Sequence, residues 1–253
     1  MDTGDFKEKI EEIVAPAVGP VMDMVSDLVL DGAAGAMIPG VGNLILSYKQ
    51  QRTEKNLEIF IKQIVARQDE FNEKLNRLDI DKLNKITKHY FGLVADYVLD
   101  VKQQEKIRYI VNGYLNLTDV DPLNDDGVIM YYDTLDQLTL CDIAILKEHY
   151  NPVISQQSLK LSLVPGQIRL INEKLVRLGL LASLNDEKIE KNLKAIGEYL
   201  ENIDKGKRNS RLNLKRFWGT DSYKITSYGI RFIDFFIDKH QNVSAKETDK
   251  EKD

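Results

Sequence analysis

Cysteine is almost missing from this chain: Cys141 stands alone among 253 residues. No internal disulfide framework can form, and a reducing cytoplasm is the compartment this composition suits. Histidine is nearly as scarce. His89, His149 and His240 show no H-x-x-x-H spacing and no cysteine partner, so neither zinc nor another metal is expected. Cys141 and His149 sit on one predicted helix, about 12 Å apart along its axis, too far for a nucleophile and its base. Acidic pairs such as Asp125–Asp126 fall in what reads as a loop, with no second pair to work against. The sequence therefore predicts no enzyme and no cofactor. Long apolar runs are also lacking: no window reaches the roughly 18–20 strongly apolar residues of a transmembrane helix. The opening "MDTGDFKEKIEEI" mixes charges of both signs and has no basic region followed by an apolar core, so no secretory signal is expected.

What is present is ordinary for a globular protein. Apolar residues make up 43% and charged residues 30%, which excludes disorder throughout. The length allows one large domain or two smaller ones. A formal net charge of −5 argues against a dedicated nucleic-acid binder by bulk electrostatics, while leaving room for a local basic patch.

The N-terminal part, residues 1–117, reads as a helical hairpin or bundle. Helical spacing from Phe6 to Leu30 is interrupted by Pro16 and Pro20, which break a helix there. Next comes "DGAAGAMIPGVGNLILSYKQQR", uncharged from Gly32 to Tyr48. It is not a dinucleotide loop, because Gly40 and Gly42 are followed by Ile45 and no strand precedes them. Nor is it a P-loop, which needs Gly-Lys-Ser/Thr. Two readings stay open. Pro39, Gly40 and Gly42 form the bend of a packed hairpin, with Gly32 and Gly35 admitting close backbones. Alternatively, the segment around Val41 enters a membrane, using the small residues for helix contact.

Leu57, Ile61, Ile64, Gln68, Phe71, Leu75 and Leu78 then step by four and three, a heptad seam with one polar member. This is either a long helix packed inside its own domain or the seam of a homo-oligomer. The phase slips at Asp79–Lys82, where Asp79 or Asp81 is placed to cap a new helix.

"TDVDPLNDDG" is the expected domain boundary. Beyond it, residues 128–240 read as a winged helix-turn-helix-like domain. Its helices are "TLDQLTLCDIAILKEHY", "SQQSLKLSLVP" and "GQIRLINEKLVRLGLL", with Gly179 at a C-cap. "LLASL" is a strand, "LNLKRFW" and "SYKIT" form a hairpin, and "SYGIRFIDFFIDKH" is the closing helix. The wing is extended by an amphipathic helix carrying Ile189, Leu193, Ile196, Leu200 and Ile203, whose stripe must be buried against the domain, the N-terminal half or a partner. Residues 241–253 are low-complexity and expected to be disordered. The fold class is therefore mostly α.

Three stretches of this second half carry a resemblance: Leu135, Leu138, Asp142, Ile145 and Leu146; then Leu175, Leu178, Gly179 and Leu180; then Tyr223, Ile225, Thr226, Gly229 and Phe232. They resemble the C-terminal part of the Abi-alpha proteins, a bacterial group associated with abortive infection. Ile225 replaces a usual leucine, and the long wing insertion departs from the pattern. The resemblance implies a non-enzymatic antiphage protein with a phage trigger or a protein partner. It would be cytoplasmic and membrane-associated on activation, with the N-terminal half as effector.

One cluster has electrostatic content: Lys205, Lys207, Arg208, Arg211, Lys215 and Arg216, with no acid among them. The preceding predicted helix offers Arg169, Asn172 and Lys174. A basic wing beside such a helix is what DNA binding needs. A solvated loop, or contact with anionic lipid or an acidic protein, would use the same residues. The rival function is thus a DNA-binding regulator that dimerises through the Leu57–Leu78 seam. A third reading is an adaptor that binds only protein.

Overall fold

A computed structural model describes residues 11–17, 19–22, 44–151, 164–206, 211–216 and 222–237. The chain is mostly α and divides into two compact units. The first comprises Met1–Leu140 and Asp234–Asp253, the second Cys141–Ile233.

In the first unit, α1 (Leu44–Ala66), α2 (Gln68–Leu75) and α3 (Ile80–Asn84) lead through a π-helical stretch, Lys85–Tyr90, into α4 (Phe91–Asp100). Then come α5 (Ile107–Asn116) and α6 (Asp125–Gln137). Helix α1 packs on α4 and α5. Leu57, Phe60, Ile61 and Ile64 of α1 meet Phe91, Val94 and Val98 of α4 in a core with essentially no solvent exposure. Phe60 stacks on Phe91 with ring centroids 5.8 Å apart, and Phe91 and Phe71 both lie 5.5 Å from Tyr114. Buried Asn56 donates to Val98 O at 3.0 Å and to Val101 O at 2.8 Å, tying off the carbonyls at the end of α4. Asp79 caps α3, its carboxylate accepting from Lys82 N. The segment around Pro16 is broken as expected, and Val14, Ala17 and Val21 are buried.

Three expectations need correction here. The heptad seam runs over two helices, because the chain leaves helical geometry at Arg67, with φ −115° and ψ 20°. Arg67 extends its guanidinium to Asn112 on α5, 2.5 Å away, and to Glu70. The helix expected over residues 134–150 is likewise two. Leu138 turns to an extended conformation at ψ 140° and is 1% exposed, before α7 (Leu140–Tyr150) begins. Finally, the units divide after Leu140 rather than ahead of Val128. The cause is aromatic: Tyr132 of α6 stacks on Tyr97 of α4 and donates to Ile110 O of α5.

The second unit continues from α7 with α8 (Pro165–Arg177), β1 (Leu181–Ser183), α9 (Leu184–Asp204), β2 (Tyr223–Ile225) and α10 (Ser227–Phe236). Strands β1 and β2 are antiparallel, pairing Leu181 with Ile225 and Ser183 with Tyr223. Gly179, at φ 73°, ends α8 with the paired bonds Leu180 N to Leu175 O and Gly179 N to Val176 O, a Schellman ending. Most of the expected helix "SQQSLKLSLVP" lies outside the described residues. The expected strand "LNLKRFW" does not form over residues 211–216. Asn192 of α9 holds that stretch instead, donating to Lys215 O at 2.9 Å and accepting from Lys215 N at 2.6 Å.

Candidate functional site

The motif residues of the second unit meet at one node. Thr226 Oγ1 donates to Gly179 O at 2.6 Å, and Thr226 N to Leu180 O at 3.0 Å. Gly229 N in turn donates to Thr226 Oγ1 at 2.9 Å. A Cβ on Gly229 would lie 2.2 Å from Leu180 O, so only glycine lets α10 cross the end of α8 this closely. Leu175, Leu180 and Phe232 are buried around it.

The basic residues do not form one surface. Asn172 is 8% exposed, with its Oδ1 2.9 Å from His149 Nε2. Lys174 pairs at 2.5 Å with Asp142, whose side chain is 4% exposed. Asn172 is thus buried in the second unit rather than turned outward, and Lys174 is half-buried against Asp142. Their partners stand far upstream on α7, and helical spacing alone cannot show that. Arg169 faces outward but is paired with Glu173, and Lys205 with Glu201. Arg211, Lys215 and Arg216 are exposed. Lys207 and Arg208 lie outside the described residues.

The seam is spent inside the chain. Leu57, Ile61, Ile64, Phe71 and Leu75 are at most 1% exposed, and Leu78 is half-buried. Gln68 donates from Nε2 to Pro16 O at 3.3 Å, a tie to the N-terminal segment. Gly32, Gly35, Pro39, Gly40, Val41 and Gly42 lie outside the described residues. No described helix is long and apolar enough to cross a membrane.

Two arrangements had no signal in the sequence reading. In the first, Asp125 starts α6 rather than lying in a loop, and gathers Tyr90, Lys85 at 2.9 Å and His89 at 3.4 Å. The Tyr90 hydroxyl and then Lys85 hold its carboxyl down at about 2. The same carboxylate and Tyr90 raise Lys85. Lys85, His89 and Tyr90 all belong to the π-helical stretch, whose wider turn brings them to one carboxylate.

The second arrangement is a cleft of about 470 Å3. Successive turns of α1 supply Tyr48, Gln51, Arg52 and Lys55, and the α4–α5 connection supplies Lys102, Gln103, Gln104 and Glu105. The Nε–H of Arg52 is buried and has no hydrogen-bond partner among the described residues, a condition that costs roughly 1–3 kcal/mol. Spacing on α1 (48, 51, 52, 55) was readable as one helical face, but Lys102 arrives from a distant loop, so the cluster was not. Among the described residues no group of His, Cys, Asp and Glu is arranged to hold a metal ion. Comparison with known proteins returns no match, whether among family models, curated proteins or solved structures.

Proposed function

We propose that this chain is a non-enzymatic, cytoplasmic antiphage protein of the abortive-infection type. Its second unit is a winged-helix-like docking module for a phage-derived or host protein trigger, and its glycine-rich segment acts at the membrane once triggered. The observation that supports this reading is the node described above. The residues carrying the Abi-alpha resemblance, Leu175 to Leu180 and Tyr223 to Phe232, are drawn together where α8, the β1–β2 pair and α10 meet. The order helix, strand, strand, helix, with α9 inserted between the strands, supports reading this region as a wing lengthened by one helix. The regulator reading keeps Arg211, Lys215 and Arg216 as exposed cations. It loses Asn172 and Lys174 as base contacts and the Leu57–Leu78 seam as its dimer surface.

Val41→Asp tests the proposal. A charge at the centre of a lipid-inserted segment costs about 2.5–3.5 kcal/mol, enough to suppress insertion. Bacteria expressing the wild type should plate phage less efficiently and lose membrane potential early in infection. Val41→Asp should abolish both effects while melting normally. Unchanged plating and no depolarisation with the wild type, across a phage panel, would overturn the proposal. Salt-sensitive DNA binding by the same wild type would put the regulator in its place.

A further inference from the structure

We infer that the cleft between the start of α1 and the α4–α5 connection is a binding site for a small phosphate-bearing anion. The inference is independent of the defence reading, and either can fail alone. Arg52, Lys55 and Lys102 line the cleft against the single carboxylate of Glu105, an excess of positive charge in one concavity. The surface cations Lys62, Lys74, Arg77, Lys85 and Lys224 each pair with a carboxylate. Arg52, Lys55 and Lys102 have no such partner among the described residues.

Arg52 carries the strongest signal. Its Nε–H is buried and unsatisfied, although buried donors are nearly always paired. Arg52 lines the cleft, and the planar fork of a guanidinium fits two oxygens of one tetrahedral anion. Lys55, one turn along α1, and Lys102, from the facing segment, supply the ammonium groups that balance a dianion. The side chains of Gln51 and Gln104 add amide donors for its remaining oxygens. Tyr48 is 64% exposed at the same cleft, so its ring is open for a planar base to stack on. Inorganic phosphate and a nucleoside monophosphate share the chemistry that the cations recognise, and Tyr48 separates the two.

Titration calorimetry and thermal melting of the full chain with inorganic phosphate, and separately with adenosine monophosphate, test the site. Binding to the native state alone should raise the melting temperature with ligand concentration, at constant ionic strength set by sodium chloride. Lys55→Ala combined with Lys102→Ala removes two exposed side chains and should leave ligand-free melting unchanged. It should weaken binding roughly tenfold or more. Arg52→Lys, which keeps the charge but loses the fork, should also weaken it. If the monophosphate binds tighter than phosphate, Tyr48→Ala should return it to the phosphate level. Equal affinities would assign the site to the phosphate group alone. No heat and no shift with either probe at millimolar concentration would overturn the inference. So would a shift that sodium chloride reproduces, or unchanged affinity in the normally melting double lysine variant.

Discussion

Asp125 shows how one residue can join two elements through charge. It stands at the start of α6, where a helix favours an anion, and it accepts from Tyr90 while pairing with Lys85. Because its folded pKa lies at about 2, below the ordinary 3.8, its contribution is present at neutral pH. That contribution is lost as pH falls from about 4 through 2. Asp125→Asn should therefore flatten the acid limb of the melting-temperature profile over that window; identical acid limbs in variant and wild type would refute this. Lys174 makes the opposite case, an expected surface contact that is half-buried against a buried carboxylate. Removing it strands the carboxylate of Asp142, which is only 4% exposed at its side chain. Lys174→Met should cost about 3 kcal/mol in urea unfolding, the lower end for a broken buried pair because Lys174 keeps some solvent. A cost under about 0.5 kcal/mol, typical of surface substitutions, would return Lys174 to the surface. Neither role was legible from the sequence. The partners, Tyr90 and Lys85 in one case and Asp142 in the other, stand roughly thirty to forty residues away, and a lone lysine or aspartate reads the same on either face of a helix.

At the scale of elements, periodicity carried far. Helices α1, α2, α5, α8, α9 and α10, the break near Pro16, the cap at Asp79, the Gly179 ending and both strands of the β1–β2 pair follow from spacing and turn chemistry, whereas α6 does not, its start reading as a loop. Breaks at Arg67 and Leu138 do not, since neither contains glycine or proline, and tertiary partners such as Asn112 decide them. Helix α9 is the clearest divergence between pattern and packing. Its stripe was expected to be buried against the domain, the N-terminal half or a partner, and within the chain Ile189, Leu193, Leu200 and Ile203 are 45–64% exposed. The helix turns Asn192 inward, where the amide satisfies both backbone groups of Lys215. A polar residue beside an apolar stripe carries no sequence mark that it faces the protein, so the outcome could not be read in advance. Asn192→Ala should cost about 1–2 kcal/mol through the two lost bonds and speed proteolysis at residues 211–216. Leu193→Gln should stay within about 0.5 kcal/mol of wild type. The reverse ranking would mean that the stripe, not Asn192, anchors the helix.

At the scale of the molecule, the first unit is discontinuous: the chain leaves it at Leu140 and returns at Asp234. Closing a long excursion costs little more than closing a short one, since the entropy grows only with the logarithm of its length. What holds the return is a small set of contacts at the end of α10. Phe236 is fully buried and meets Tyr132 edge-on at 5.2 Å. A Cβ on Gly113 of α5 would strike its ring at 2.4 Å, so α5 and the phenyl are in direct contact. Asn112 Nδ2 donates to Phe236 O at 3.0 Å, and Asn116 Nδ2 to Phe235 O at 2.8 Å. Losing one such phenylalanine costs about 3–5 kcal/mol, a large share of the roughly 5–15 kcal/mol that holds a domain together. A chain ending at Ile233 should therefore lose amide-exchange protection in α1, α4 and α5, although none of those helices is shortened. A chain ending at Ile237 keeps every contact named here and should retain the protection. Phe236→Ala in the full chain should fall between the two, because both asparagines still find their backbone acceptors. Protection of α5 in the chain ending at Ile233 equal to that of the full protein would show that the N-terminal helices stand alone and that α10 merely rests on them.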